Sequence, residues 1–356
     1  MLNWLCKIGF ALLSVLKGDR NMDYSLTKIA KELGLSKATV SLVLSGKARQ
    51  ARISEDAEER VKKFCAEVNY VPNIHAQRVN RKFAENIGFL INRGVRVDVS
   101  NPFADSNING IMGGIVIAAE NAGCRVSVQL YTDDMDESRV FDWLRNHEID
   151  GLIYYGLNIP KEWKKTFSNE GRHVVGISTE PDRNISSINT NNFDASAKLT
   201  KYLIDKGRRR FMYLSGIDNT FVADERKRGF LSALKENDIE FCNDNMITAE
   251  FSESIAEKKI LEKLPDVDAI VCANDDMAIG AMKALKKMNI SIPEQIAVAG
   301  ADNINVSGYV SPSLTTFDNK QHELGVAAVE TVIKMIKGEK AKNIIIESDI
   351  VIREST

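Results

Sequence analysis

SLTKIAKELGLSKATVSLVLS, residues 25–45, reads as two short helices joined by a tight turn. Ser25 can cap the first helix, because its hydroxyl accepts from an orphan N–H of the first turn. Leu26, Ile29, Ala30 and Leu33 then fall on one face at helical spacing. Gly34 stands where the chain must leave that helix, a position that favours positive φ. Leu35 pins the turn, and Ser36 caps a second helix whose buried side is Val40, Val43 and Leu44. Ala30 is the small residue that lets the two helices cross closely. This spacing predicts a helix-turn-helix, an arrangement whose second helix enters the DNA major groove. The competing reading is a small helical bundle that never meets DNA.

The flanking residues favour the first reading. Residues 46–53, GKARQARI, form a polar, basic loop. Ser54 then caps a third helix over 54–69, with Glu55, Asp56, Glu58 and Glu59 at its start, where the helix dipole favours negative charge. Ala57, Val61, Phe64, Cys65 and Val68 give it an apolar stripe that closes a three-helix head. Residues 71–85 carry Arg78, Arg81 and Lys82 but too few apolar residues to fold alone. They read as a hinge, either a plain linker or a segment that becomes helical on DNA. Pro72 suits the first turn of such a helix.

Residues 1–21 match nothing downstream. The apolar run over 8–16 is too short to span a bilayer and lacks a small-residue cleavage site. We expect translation to start at Met22, making residues 1–21 a non-native leader. Residues 22–85 hold 12 Lys and Arg against 8 Asp and Glu, whereas residues 86–356 hold 32 against 40. A basic head on an acidic body is the balance expected when only the head meets phosphate. The five cysteines are scattered, without a C-x-x-C pair, and the four histidines lack metal-ligand spacing. No metal or cofactor is called for, and reduced thiols fit a cytoplasmic protein.

Beyond residue 86 the pattern changes. Apolar runs of strand length at 87–91, 125–130, 151–155 and 173–177 alternate with helical patterns at 109–122, 137–146 and 161–169. A second round follows: helices over 194–206, 223–237, 252–264 and 276–288, and strands over 210–215, 269–273 and 296–299. A helix over 321–337 and a last stretch, 343–352, complete the chain. Strands alternating with helices predict parallel sheets covered on both faces. The expected architecture is a small all-α head (22–70), a hinge (71–85) and an α/β body (86–356) of two similar doubly wound lobes. Lobe 1 spans about 86–190 plus 320–356, and lobe 2 about 191–319. Ligands of such sheets bind at the carboxyl ends of the strands, so the cleft between lobes is the expected pocket.

Residues 25–356 resemble the LacI/GalR family of bacterial transcription regulators. The motifs that carry the resemblance begin with LTKIAKELGLSKATVSLVLSG and RISEDAEERVKKFCAEVNYVPN, followed by A-x-x-V. In the body they are NIGFL, SNPF, DGLI, YLIDKGRRR, ADERKRGF, CANDDMAIGAMKAL, PEQIAVAGADN and SPSLTTF. The resemblance implies a cytoplasmic homodimer, one head per half-site of a pseudo-palindromic operator. It also implies a periplasmic-binding-protein-like body that senses a small effector.

By family position Lys37, Ala38 and Leu42 are the base readers. Lysine donates to guanine O6 or N7, while alanine and leucine reach only a thymine methyl. Lys37 serves equally well as a phosphate contact. Thr39 and Ser41 also point away from the buried face, and Ser36, Thr39 and Ser45 read as caps or phosphate donors rather than base readers. Asn73 and Ala76 are DNA-binding candidates within the hinge, and Val79 stands where the family has a leucine wedge for the minor groove. In the body the resemblance points to Arg226, Asn274, Asp302 and Asn319 as effector ligands. Phe103 and Tyr155 are the aromatic candidates, with Tyr154 as the alternative to Tyr155. A buried Arg226–Asp302 pair could instead be structural.

The acidic run 133–137 lacks the glycine and the far glutamate of an EF-hand and reads as a solvated loop. Arg208, Arg209 and Arg210 read as a surface turn. No nucleophile elbow, phosphate loop or catalytic carboxylate pair argues for an enzyme. A solute-binding protein is the rival without a head. The effector expected by resemblance is a sugar or sugar derivative, with a purine as the alternative.

Overall fold

The computed structural model describes residues 24–68, 70, 85–92, 102–132, 138–156 and 159–356. The expectations for the leader, for Asn73, Ala76 and Val79 in the hinge, and for the acidic run lie outside these residues. The chain divides into two compact units, Met1–Lys82 and Phe83–Thr356.

The described residues of the first unit form three helices: α1 (Leu26–Leu33), α2 (Lys37–Leu44) and α3 (Glu55–Glu67). Each begins as the sequence requires. The hydroxyls of Ser25, Ser36 and Ser54 accept from the amides of Lys28, Thr39 and Ala57. Gly34 ends α1 in the left-handed region, at φ 65°, which a Cβ would disfavour. Ile29, Ala30, Val40, Val43, Ala48, Val61 and Cys65 form one buried cluster. Arg60 of α3 donates to the Leu33 carbonyl at 2.8 Å, satisfying an orphan acceptor at the end of α1.

The second unit is built on two parallel sheets. The first contains β1 (Asn86–Asn92), β2 (Arg125–Tyr131), β3 (Gly151–Tyr155), β4 (His173–Ile177), β5 (Ser186–Thr190) and a strand from the chain end, Ile344–Ile346. Its order is Ile344–Ile346, β5, β4, β3, β1, β2, with every pairing parallel. Side chains alternate across this sheet. Ile87, Phe89, Ile91, Ile153 and Tyr155 face a core shared with Ile108, Ile111, Ile115, Leu324 and Ala328. Leu90, Leu152, Tyr154 and Val174 face Val140, Leu144, Trp163 and Phe167. The neighbours Tyr154 and Tyr155 therefore look to opposite sides of the sheet.

Helices cover both faces: α4 (Ser106–Asn121), α5 (Ser138–Arg145) and α6 (Lys161–Asn169). Asp105 caps α4, its carboxylate accepting from the Asn107 and Ile108 amides. Gly114 of α4 lies against the Gln321–Ile336 helix so closely that a Cβ there would sit 2.0 Å from the His322 carbonyl oxygen. A small residue at that crossing is obligatory.

The second sheet has β6 (Phe211–Ser215) and β7 (Met246–Thr248), then β8 (Ala269–Cys272) and β9 (Ala297–Ala299), in the order β7-β6-β8-β9. Around it lie α7 (Asn192–Asp205), α8 (Phe221–Glu236), α9 (Glu253–Glu262) and α10 (Asp275–Lys287). The chain then forms β10 (Thr316–Phe317), α11 (Gln321–Ile336), β11 (Ile344–Ile346) and β12 (Ile350–Val351).

The end of the chain departs from the expectation that 320–356 belongs wholly to lobe 1. Helix α11 and strand β11 do join the first lobe, but β12 pairs antiparallel with β10. Beyond it the Ser355 amide donates to the Ser313 carbonyl, and the Val298 amide to the Ser355 carbonyl. One apolar run was read as one element, yet its second half completes the second lobe. The strand β5 was missed because SSINT is polar. Its polar groups are instead paired: Asn343 Oδ1 accepts from the Ser187 amide, and Asn189 Nδ2 donates to the Thr179 carbonyl.

The chain passes between the lobes near residues 190–192, 318–320 and 347–349. These passages are tied together. Thr190 Oγ1 donates to Asn319 Oδ1 at 2.7 Å, Asn191 Oδ1 accepts from the Ser348 amide, and Lys320 pairs with Asp349 at 3.1 Å.

Candidate functional sites

On the head, Ser36, Lys37, Ala38 and Ser41 are exposed, while Thr39 and Leu42 are half-buried. Ser36 Oγ is engaged as the cap of α2 and lies 2.8 Å from Thr39 Oγ1. Lys37, Ala38, Ser41 and part of Leu42 thus form the open face of α2. The exposed cations Lys31, Lys47, Arg49 and Arg52 belong to the same unit. This is the charge that phosphate oxygens require beside a readable helix.

In the body a cavity of about 140 Å³ opens at the carboxyl ends of both sheets. The first lobe contributes Asn92 at the end of β1, Tyr155 and Gly156 at the end of β3, and Ser178 after β4, with Asp105 and Asn107 at the start of α4. The second contributes Phe221, Val222 and Arg226 of α8, Phe251 after β7, Asn274 and Asp276 after β8, and Asp302 after β9. The position follows from topology, since parallel strands leave a crevice where their connections diverge.

Arg226 anchors the wall. It is 2% exposed. Its Nε donates to Asn192 Oδ1 at 2.7 Å, one terminal nitrogen to the Ala273 carbonyl at 2.5 Å, and the other to Asp302 Oδ1 at 2.7 Å. The guanidinium also lies 5.1 Å from the Phe317 ring centroid. Of its five N–H groups, three are engaged in these bonds. Asp302 adopts φ 109°, a backbone state a non-glycine residue holds only when its surroundings enforce it. Here the enforcement is the Arg226 bond together with the Asp302 amide donating to the Phe317 carbonyl. Burial pushes the Asp302 carboxyl above its ordinary range, and the Arg226 guanidinium only partly offsets this.

Behind the wall Asp275 is fully buried. It accepts from Thr316 Oγ1 and Ser307 Oγ, each at 2.6 Å, and from the Ile304 amide at 3.0 Å. This fixes the loop that carries Asp302. Burial, with the Asp302 charge adding to it, pushes the Asp275 carboxyl up to about 7.

Arg226, Asn274, Asp302 and Tyr155 therefore meet at one cavity. Asn274 caps α10, accepting from the Met277 amide and donating to the Phe251 carbonyl. Asn319 stands one step behind the wall. Its Nδ2 donates to Asn107 Oδ1 at 3.3 Å, and Asn107 Nδ2 donates to the Tyr155 hydroxyl at 2.9 Å. Phe103 does not reach the cavity wall; it packs on the first lobe's core. Asp105, Ser178, Phe221, Phe251 and Asp276 were missed in the sequence. Asp105 and Asp276 sit at helix starts, and this signal could have marked them.

Comparison with known proteins matches these two parts. Residues 25–73 match the family model of bacterial regulatory proteins, lacI family, and residues 200–356 that of a periplasmic binding protein-like domain. The head is thus a LacI-family DNA-binding domain, and the body carries a periplasmic binding protein-like domain. The regulator MalR of Clostridium butyricum is 26% identical over 342 residues, covering 93% of this chain and 98% of that one. The repressor PurR of Vibrio vulnificus is 27% identical over 348 residues, with 93% and 98% covered. Among solved structures, a lac repressor dimer bound to operator and the anti-inducer ONPF superposes with a TM-score of 0.81. It is 22% identical, with 94% of this chain and 99% of that chain covered. The chain is thus a transcription regulator with a DNA-binding head and a ligand-sensing body, not an enzyme. Among the described residues no helix is long and apolar enough to cross a membrane.

Proposed function

We propose that this LacI-family protein is a cytoplasmic homodimeric repressor whose hold on a pseudo-palindromic operator is switched by an uncharged, polyhydroxylated ring bound between its lobes. The observation that carries the reading is the cavity walled by both lobes, with the buried Arg226–Asp302 pair on its surface. Arg226 retains N–H groups for ring hydroxyls, and Asp302 retains an oxygen that accepts from them. Tyr155, Phe221 and Phe251 offer flat apolar walls for the C–H faces of a ring. The described lining holds three carboxylates, Asp105, Asp276 and Asp302, against one guanidinium. A phosphate or carboxylate on the ligand would face that excess, so a neutral ring suits the site better.

A ligand touching both lobes favours their closed arrangement, and Asn192 links Arg226 directly to one of the inter-lobe passages. By linkage, operator affinity and ligand affinity change each other by the same factor. On the head, Lys37, Ala38, Ser41 and Leu42 face the major groove, with Ser36 and Thr39 towards phosphate. Asn73, Ala76 and Val79 follow in the hinge.

A thermal-shift screen of the purified full chain against neutral sugars, sugar phosphates and purines tests the class. Neutral sugars should give the largest shift; a larger one from sugar phosphates or purines overturns the assignment. Removing either partner of the buried pair would leave the other uncompensated, so the conservative Arg226→Lys and Asp302→Asn variants are the ones to use. Each should weaken ligand binding by roughly tenfold or more, as loss of a charged hydrogen bond does. Full ligand affinity in either removes the pair from the site. Loss of operator binding by both without ligand shows that the pair is structural.

A further inference from the structure

A groove of about 880 Å³ opens on the first lobe, at the end of its sheet away from the cleft. β4 starts there with His173 and runs towards Ser178 at the cleft, and β5 starts there with Ser186 and runs to the inter-lobe passage at Thr190. Each strand has five residues, so groove and cleft lie about 16 Å apart. One bank of the groove is the loop before β5, residues 181–185. The other is the connection from α11 to β11, residues 338–343.

The charges of this groove do not cancel. The Asp182 carboxylate is engaged, pairing with Lys164 at 3.5 Å and accepting from the Asn184 amide at 2.8 Å. Arg172 is engaged too, with Glu170 at 3.2 Å and the Leu144 carbonyl at 3.2 Å. Burial holds the His173 imidazole below its ordinary range, so it is neutral at pH 7. What remains is Arg183, Lys340 and Lys342, all exposed, against Glu339. Among the described residues none of these three cations has an ion-pair partner. Cations near a helix C-terminus ordinarily answer the helix dipole, whose influence fades within the last turn. That accounts for Lys334 and Lys337 at the end of α11. It does not account for Lys340 and Lys342, which lie four and six residues beyond Ile336, nor for Arg183, which follows a strand.

Both banks lead directly to the cleft and to the passages between the lobes. The first is continuous with Ser178, which lines the cleft cavity. The loop between is held: the Ser178 amide donates to the Ile188 carbonyl at 3.0 Å, Asn189 clamps Thr179 by its amide and carbonyl, and Ile185 is buried. The second bank passes through β11 to Glu347 and Ser348, both bonded to Asn191, and to Asp349, which pairs with Lys320. Asn343 Oδ1 accepts from the Ser187 amide at 3.0 Å and ties the two banks together.

We propose that this groove is a second effector site, for a small anion with two linked phosphoryl groups, and that its occupancy biases the lobes and hence operator binding. Arg183 supplies a planar fork from one bank and the two lysines supply ammonium groups from the other. A diphosphate can meet both banks at once. The shared chemistry is the diphosphate, whether free or carried on an organic molecule. The site stands apart from the neutral-ring reading above, and only its coupling to operator binding rests on the switch described there.

The test is isothermal titration of the full chain, saturated with duplex DNA so that the cations of the head are occupied, with pyrophosphate, ADP and inorganic phosphate. Pyrophosphate or ADP should bind once per chain and about fivefold more tightly than phosphate, the size of one further exposed ion pair. If ADP gains nothing over pyrophosphate, the diphosphate alone is read; if ADP binds more tightly, its carrier is read as well, and both results support the site. Phosphate binding as tightly as either would overturn the ligand class. Arg183→Gln, Lys340→Gln and Lys342→Gln together should weaken diphosphate binding by roughly tenfold. The melting temperature of this variant should hold, since all three side chains are exposed. Undiminished binding by the variant would put the anion elsewhere and overturn the site. Neutral-sugar affinity should be the same in variant and wild type, so either reading can fail without the other. Operator affinity, measured with and without the tighter anion at matched ionic strength, should change by about fivefold in the wild type and hold in the variant. An anion that binds through Arg183 yet leaves operator affinity unchanged would overturn the coupling.

Discussion

At the scale of single residues, two carboxylates among the described residues of the body lie out of water, and only one of them is paired with a cation. Asp302 has Arg226 at 2.7 Å, whereas Asp275 has two hydroxyls and an amide. Asp275 titrates near 7 in the folded chain against an ordinary value of 3.8. The native state therefore binds more protons than the unfolded one between those values, and stability attributable to Asp275 falls as pH rises from about 4 to about 7. A rise of that size corresponds to roughly 4 kcal/mol. Asp275→Asn keeps the shape and abolishes the ionisation. Measured by chemical denaturation, the stability of the wild type relative to this variant should decline across pH 4–7 and level off above it. A constant difference across that range would show that Asp275 stays ionised throughout.

At the scale of elements, helices α4 and α11 approach so closely that their backbones touch. At Gly114 an added Cβ would lie 2.0 Å from the His322 carbonyl oxygen, and at Gly325 one would lie 2.2 Å from that of Ile111. Gly113, next along α4, meets nothing within 4 Å. Neighbouring glycines in one helix thus have opposite reasons to exist. Gly114→Ala should destabilise the body by about 1–3 kcal/mol through overpacking. Gly113→Ala should stabilise it by up to about 1 kcal/mol, because alanine is the better helix former. Thermal melts of the two variants decide this; equal effects would mean the helices slide apart without cost.

At the scale of the whole molecule, a basic head is joined to an acidic body, and only the head carries the charge that DNA needs. Operator affinity should fall steeply with salt, with the slope of log K against log salt reporting the phosphates neutralised. Lys37→Ala separates the two roles left open for that residue. A phosphate contact would reduce the slope by about one and weaken all sequences alike, while a base contact would cost about 1–3 kcal/mol at one position of the site and relax specificity there. Two heads on a two-fold dimer should protect a pseudo-palindrome in footprinting. A single asymmetric half-site would contradict the dimer.

Local chemistry made much of this legible without coordinates. Serine caps, a glycine exit and apolar periodicity are short-range signals, so the three head helices and most strands of the body could be read directly, as could the place of a cleft at the strand ends. The side chains that meet there were another matter. Arg226 and Asp302 are 76 residues apart, and nothing local shows that they bond to each other, or that Asn192 and Ala273 complete the guanidinium's shell. SSINT is too polar to announce a buried strand until Asn343 and Thr179 arrive to pair its groups. The run after residue 343 divides between two lobes because β5 and β10 each present an open edge within its reach. Phe103 carried an aromatic ring next to the site yet turned it into the core, while Phe221 and Phe251 faced the cavity. Which face an aromatic takes is settled by packing across elements distant in sequence, and that information exists only once the chain has folded.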